Sequence, residues 1–551
     1  MADDFPRVLM DLRHGQHVVT DEIAQAQVDA AAPQSASVSS TAGDDFRGGR
    51  IEEISTPFGY MFGALADAFP GAHLDGDPAQ ETVAALKALG SAMIEQDPRG
   101  GAGDSQLPPI LTYWGQFVDH DLTANTDRDT SISIVEDDLH PLEPLQVTAR
   151  LVNLREPRLN LDSVYGNGPK ASGLEGQVPY AGDKFVVLEQ PDLTPVGPAI
   201  VPGFDLPRTR EGAGKGKALI GDGRNDENLV VAQLHVAFLK FHNNVIDWLA
   251  AHGGGNFERA RELTTWHYQF ATVQDFLTRI ADPAVVTGLL DGTVRPVFRP
   301  SADDPFMPLE FSVAAFRFGH SMVRGAYDWN ENFPRATFEQ LFSFTGNGGL
   351  RPNPSFPVNP TLPDNWPARF RRLTGIDPQT DGGLPARLAR KIDTHLAPPL
   401  STLLNEGGGA TSGEIRRLLK RLATRNLLRG YRLAVPTGQA VATQLGITPL
   451  TVAQLSSPPG PVGNVLQDHP ELLGATPLWF YVLKEAEILG EGDRLGPVGS
   501  RIVAETILGQ LRADPTSYLN KGFDPATGVT RPDGGPVRTI IDFLEFAGMH
   551  N

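Results

Sequence analysis

Apolar residues recur along this chain at helical rather than strand spacing. In LVVAQLHVAFLKFHNNVIDWLAAH, residues 229–252, the side chains of Val230, Leu234, Phe238, Phe241, Val245 and Leu249 share one helix face. Asp226 is placed to cap its start, and Gly253 to Gly255 stop it. A second helix, FERARELTTWHYQFATVQDFLTRI, follows Asn256 as cap and ends before Asp282-Pro283. No internal repeat and no sustained two-residue alternation appears. The 46 prolines and 58 glycines predict long irregular connections between helices. Residues 1–50 are small and polar and read as a poorly ordered arm. The proline-rich stretch 352–369 reads as a surface loop, and no linker after residue 50 marks a boundary. The expectation is one large, mainly α domain over 51–551.

Composition narrows the function classes. Hydrophobic residues make up 40% and charged residues 21%, enough for a sizeable core. A formal net charge of −19 disfavours nucleic acid and anionic membrane, whose phosphates it repels. With no cysteine, disulfides, iron–sulfur clusters, thiolate haem ligation and cysteine nucleophiles are all ruled out. The N-terminal MADDFPRVLMDLRHGQ lacks the apolar core of a signal peptide, and no stretch is long and apolar enough for a membrane span. A soluble protein is expected, cytoplasmic by default or exported by a non-classical route.

The 13 histidines then direct attention to imidazole chemistry. In TYWGQFVDHDLTANTD, Gln116, Asp119 and His120 fall at i, i+3 and i+4 of a helix and share a face, while Asp121 turns about 100° away. In IGDGRNDENL, Arg224 and Glu227 are three apart at a helix start. In AAFRFGHSMVRGAYDW, Phe316 and His320 are four apart on an apolar helix flanked by Arg317 and Arg324. In TRNLLRGYRLAVPTGQ, Asn426 and Arg429 are three apart. Taken singly, each has a plainer structural reading: a helix end with solvated acids, a first-turn charge pair, a satisfied core histidine, a basic helix. GAGKGK at 212–217 lacks the Ser or Thr that a phosphate loop needs after its lysine; Ala218 stands there.

Taken together, in this order, the four segments resemble the signature segments of the animal-type haem peroxidases, the peroxidase–cyclooxygenase superfamily. GQFVDHDL resembles the distal-histidine motif, GDGRNDE the distal-arginine motif, FRFGH the proximal-histidine motif and RNLLRGYRL the proximal-asparagine segment. LDSVYG at 161–166 and LGPVGSRIVAETILGQLRADPTSYL extend the likeness over about residues 50 to 545. The resemblance implies haem b with His320 as iron ligand, oriented by Asn426, and a hydrogen peroxide site formed by His120 and Arg224. It implies that Gln116 contacts distal water or an anionic donor, and that Arg317 and Arg429 meet the haem propionates. Asp119 and Glu227 match carboxylates that form ester links to haem in some members. Asp121, the Arg158 carbonyl, Asn160 and Asp162 match a calcium site, hard oxygens suiting that ion. Glu156 stands where that pattern has a threonine, and Asn160 where it has an aspartate.

The implied function is peroxide-dependent oxidation of small anionic or phenolic donors, in the setting of a response to oxidative stress. Some members carry a methionine after the ester-forming glutamate, which adds a third haem link and goes with chloride oxidation. Asn228 stands there, so iodide, thiocyanate and bromide are the expected halide-type donors. Lack of the disulfides usual in animal members points to a bacterial origin. Two alternatives stand. A fatty-acid dioxygenase shares the fold but places a radical-forming tyrosine three residues before the proximal histidine, where this chain has Arg317. A non-enzymatic haem-bearing adhesion protein would need neither His120 nor Arg224.

Overall fold

The computed structural model describes residues 7–12, 15–20, 56–74, 79–97, 101–124, 134, 139–166, 168–169, 178–212, 214–350, 359–375, 387–403 and 412–550. Helices dominate, as the spacing predicts. Among the described residues, strands are short and form sheets of two or three. β1 (Arg7–Leu12) and β2 (Gly15–Thr20) form an antiparallel hairpin in the N-terminal arm, the rest of which lies outside the described residues. β3 (Thr56–Gly59) lies between β4 (Val152–Asn153), antiparallel, and β5 (Met307–Pro308), parallel.

The helices that matter for function are α1 (Ala79–Ala92), α2 (Ile110–Leu122), α3 (Leu229–Ala251), α4 (Phe257–Ala271) and α5 (Leu422–Arg432). α2 packs on α3 through a column of aromatic rings. Phe117 stacks on Phe238 with centroids 4.2 Å apart, and Trp114 leans on Phe238 and Tyr268. Trp114 also donates its indole N–H to Thr272 Oγ1 at 3.1 Å. Phe117, Phe238 and Trp114 are fully buried; each contributes roughly 2–3 kcal/mol by leaving water. The apolar face of α2 is thereby fixed, and its opposite face is left to line a cavity. α1 and α5 approach closely at Gly90, where a side chain would collide with the backbone of Thr424.

Several expectations need revision. Asp226 does not cap α3. Asn228 does, its Oδ1 accepting from Val231 N at 3.0 Å, while Asp226 accepts from Arg208 Nη1 at 2.6 Å and from Gly346 N at 2.8 Å. An ion pair with a buried guanidinium outcompetes a cap that an adjacent asparagine can make. The stretch 359–369 is not a surface loop: Leu362, Trp366 and Ala368 are buried, with Trp366 stacked between Phe333 and Phe344. Residues 352–358 of the proline-rich stretch lie outside the described residues. The second long helix is interrupted, α4 passing into a π turn at Thr272–Leu277 before it ends at Ile280.

The segment leading to His320 is not a regular α-helix either. It runs as a π turn, Glu310–Ala314, followed by a 3₁₀ turn, Ala315–His320. The π turn is anchored by buried Glu310, which accepts from Met61 N at 2.8 Å and Phe62 N at 3.2 Å. Burial raises that carboxyl to about 7, against the two amides that favour its ionised form.

Candidate active site

One cavity gathers residues from all four signature segments. Its wall includes Gln116, Asp119 and His120 from α2, Arg224, Glu227 and Asn228 ahead of α3, Arg317 and His320 from the 3₁₀ turn, and Arg425 from α5. The shared face predicted for Gln116, Asp119 and His120 is therefore the face that looks into the cavity. Asp121, on the other side, is fully buried.

The His120 ring has a defined tautomer. Its Nδ1 lies 2.8 Å from Asn225 Oδ1, an acceptor, so Nδ1 carries the proton and Nε2 presents a lone pair. Nε2 is 3.9 Å from Glu227 Oε1. Burial first, and then the Arg224 charge, hold the imidazole below its ordinary pKa, while Glu227, Asp222 and Asp119 pull it back up. The ring is poised as a neutral base. Gln116 donates to Glu227 Oε1 and accepts from Asn228 Nδ2 at 3.1 Å. Position 228 thus serves two roles here, capping α3 and holding Gln116. Asp119 Oδ1 accepts from Thr123 Oγ1 at 3.0 Å.

Arg224 is held from behind. Its Nε and Nη2 donate to Asp222, and Nη2 also reaches the His120 carbonyl at 2.9 Å. Burial alone would raise the Asp222 carboxyl, yet Arg155 and Arg224 beside it hold it far below the usual carboxylate range.

At the other histidine, the Asn426 amide lies 2.9 Å from His320 Nδ1. Its Nδ2 faces the ring, and its Oδ1 accepts from Arg317 Nη1 at 3.4 Å. The guanidinium claims the amide oxygen and turns the nitrogen to the imidazole. Residues three apart eclipse in a 3₁₀ turn, so Arg317 and His320 point the same way, into the cavity. Burial lowers the pKa of Arg317, and that of Arg425 to about 10. Arg429, the expected partner of Arg317, is buried outside this wall, and burial brings it down to about 9. Arg425 lines the wall instead. It sits one turn before Arg429, a spacing that could have nominated it. Asn225, Asp222 and Arg155 are the other residues the sequence reading passed over.

The loop matched to calcium is brought to α2. Leu161 N donates to Asp121 Oδ2 at 3.2 Å, and Asp162 N to Asn160 Oδ1 at 3.2 Å. Leu159 and Leu161 both take left-handed backbone, φ 52° and 58°, an arrangement costly for leucine. Asn160 Nδ2 donates to Glu156 Oε2 at 2.8 Å, and the Arg158 carbonyl accepts from Gln269 Nε2 at 3.5 Å. Among the described residues, no three histidine or acidic side chains form a ready metal cluster. No described helix is long and apolar enough to cross a membrane.

Comparison with known proteins agrees with this geometry. The animal haem peroxidase family model matches residues 199–450. A peroxidase-like protein of Margaritifera margaritifera is 27% identical over 285 residues, covering 42% of this chain and 33% of that one. The chain spans about a third of the length of the first curated relatives it matches. Peroxidase A of Dictyostelium discoideum has the same fold, with a TM-score of 0.52 at 18% identity, over 83% of this chain and 88% of that one. So does the fatty acid alpha-dioxygenase of Oryza sativa, with a TM-score of 0.52 at 14% identity, over 85% and 76%. The motif order and the cavity that unites the motifs agree with the family match, and over residues 199–450 the chain is similar to the animal haem peroxidases.

Proposed function

We propose that this protein is a haem peroxidase that reduces hydrogen peroxide and oxidises small donors. The observation that carries the reading is a neutral, buried His120 with its Nε2 lone pair in the same cavity as Arg224 and His320. Haem b fits the residues present. His320 offers an imidazole, and Arg317 and Arg425 are cations whose charged forms burial disfavours, so they would gain from two propionates. His320 would hold the haem iron, with the Asn426 amide beside its Nδ1 to orient the ring. When bound, the haem iron supplies the redox chemistry. The chain supplies proton handling. His120 Nε2 takes a proton from one peroxide oxygen and returns it to the other. Arg224 balances the charge that builds on the departing oxygen, its Nε and Nη2 already engaged and Nη1 left for it. Gln116 orients water or a donor anion beside Glu227.

Arg317 disfavours the fatty-acid dioxygenase alternative, because a guanidinium cannot form the phenoxyl radical that lipid oxygenation uses at that position. The retained His120–Arg224 pair disfavours a purely adhesive role. Asn228 has no thioether for a third haem link, so the protein should oxidise iodide, thiocyanate, bromide and phenols, and chloride poorly at neutral pH. Gln116→Ala should weaken halide oxidation more than phenol oxidation. Peroxide-driven assays at matched donor concentration test this. Chloride turnover equal to bromide would overturn the halide ranking, and no peroxide-dependent oxidation of any donor would overturn the function.

Two finer features belong to the same reading. Asp119 and Glu227 reach the cavity and are proposed to become ester-linked to haem. Asp121, Asn160, Asp162 and the Arg158 carbonyl are proposed to bind calcium, tying α2 to the loop at 155–162. A single compositional analysis checks both. After peroxide turnover, haem should stay with the denatured chain, and about one equivalent of calcium should be present and fall in Asp121→Ala. Freely extracted haem sinks the first feature, and a metal-free, fully active protein sinks the second. The domain is assigned to 51–551, with 1–50 as an arm outside it.

A further inference from the structure

We infer that Arg155 and Asp222 form a buried lock that positions the distal pair, and that this lock is a built part of the peroxide site; this rests on the peroxidase reading above. His120 and Arg224 come from elements far apart in sequence, and each is long or rotatable enough to miss its target. The structure joins them through one atom. The His120 carbonyl, at the C-terminal end of α2, accepts from Arg155 Nε at 3.0 Å and from Arg224 Nη2 at 2.9 Å. The two guanidiniums that meet there are like charges, and they are held together by the single carboxylate of Asp222. Arg155 Nη2 and Arg224 Nη2 both donate to Asp222 Oδ2, while Asp222 Oδ1 accepts from Arg224 N at 2.9 Å. Asp162 Oδ1, 3.7 Å from Arg155 Nε, adds a second negative charge on the far side. Arg155 is fully buried and Asp222 has 1% of its surface exposed.

Burial of this order makes the arrangement stiff. A buried guanidinium cannot leave its carboxylate without stranding both charges. The planar fork of Arg155 gives two directions at once, one to the backbone of His120 and one to Asp222. A lysine, a point donor, cannot serve both. Of Arg155, Asp162, Asp222 and Arg224, Arg224 alone lines the cavity, so Arg155 and Asp222 act through it and through the backbone that carries His120. They are positioning residues. An error of about 1 Å in such groups costs on the order of a hundredfold in rate.

The test uses Arg155→Lys, which keeps the charge, together with Asp222→Asn and Asp222→Glu. Stopped-flow association of potassium cyanide with the ferric, haem-loaded protein reports the distal pair without turnover. Cyanide association should slow by about tenfold to a hundredfold in Arg155→Lys and Asp222→Asn, with haem content and Soret position as in the wild type. Asp222→Glu should recover part of the loss, which a general loss of stability would not do. In crystals of the haem-free Arg155→Lys chain, the Arg224 guanidinium should have left the His120 carbonyl. Cyanide association within about twofold of wild type, with Arg224 unmoved, would overturn the lock. A haem-loaded wild type that binds cyanide but does not react with peroxide would overturn the peroxidase reading alone.

Discussion

His320→Ala should abolish the Soret band of the haem-reconstituted protein, or shift it markedly, with the fold largely intact. The expectation follows from position. Among the described residues, the histidines that line the cavity are His120 and His320. His120 has its Nδ1 committed to Asn225 and its backbone to two arginines, which suits a fixed base. His320 stands on a 3₁₀ turn with the Asn426 amide at its Nδ1, an amide whose two ends can exchange. Truncating His320 removes the imidazole without opening the core, because the side chain is only partly buried. Circular dichroism should change little. An unchanged haem spectrum would remove His320 from the iron. Asn426→Ala should keep haem but alter its reduction potential, since only the orientation of the ring changes.

The second large effect belongs to the distal pair. His120→Ala and Arg224→Ala should each slow the reaction with peroxide by at least about a hundredfold while haem content survives. Stopped-flow mixing with peroxide measures it, and rates within about twofold of wild type would place the chemistry elsewhere. The pH profile carries a further expectation. Burial and Arg224 lower the folded pKa of His120 beneath its ordinary value near 6.5. The neutral, proton-accepting form therefore persists below that value, and the peroxide rate should stay flat as pH falls through 6.5. Stability follows the same sign. The contribution of a histidine buried neutral is complete above the unfolded pKa and is lost as pH falls toward the lower folded one. An inflection in the wild-type rate at an ordinary histidine pKa, absent from His120→Ala, would contradict the burial argument.

Much of this site was legible in the sequence because it rests on local periodicity. Gln116, Asp119 and His120 share a face because the helix repeat demands it, and the order of the four motifs brought His320, Arg224 and Asn426 into one hypothesis. What escaped is what periodicity does not encode. Arg155 meets Asp222 across 67 residues, and nothing near either of them announces the other. The tautomer of His120 depends on Asn225, which reads in sequence as one more polar residue of a turn. The cap of α3 fell to Asn228 instead of Asp226 because Arg208, 18 residues upstream, claims the aspartate. The direction of the Asn426 amide depends on Arg317, and the choice of Arg425 over Arg429 on the angle at which α5 meets the cavity. Local rules located the chemistry, and long-range charge pairing aims it.

The 3₁₀ turn before His320 has a bearing on how such a protein can change in descent. With three residues to each turn, position 317 is carried to the cavity by the pitch of the backbone, whatever side chain stands there. An arginine at that position presents a charge, and a tyrosine would present an oxidisable phenol at the same place. The group offered to the cavity at this position can therefore change by substitution, with no insertion or deletion in the turn. One backbone pitch thus leaves the chemistry at this position to the side chain alone.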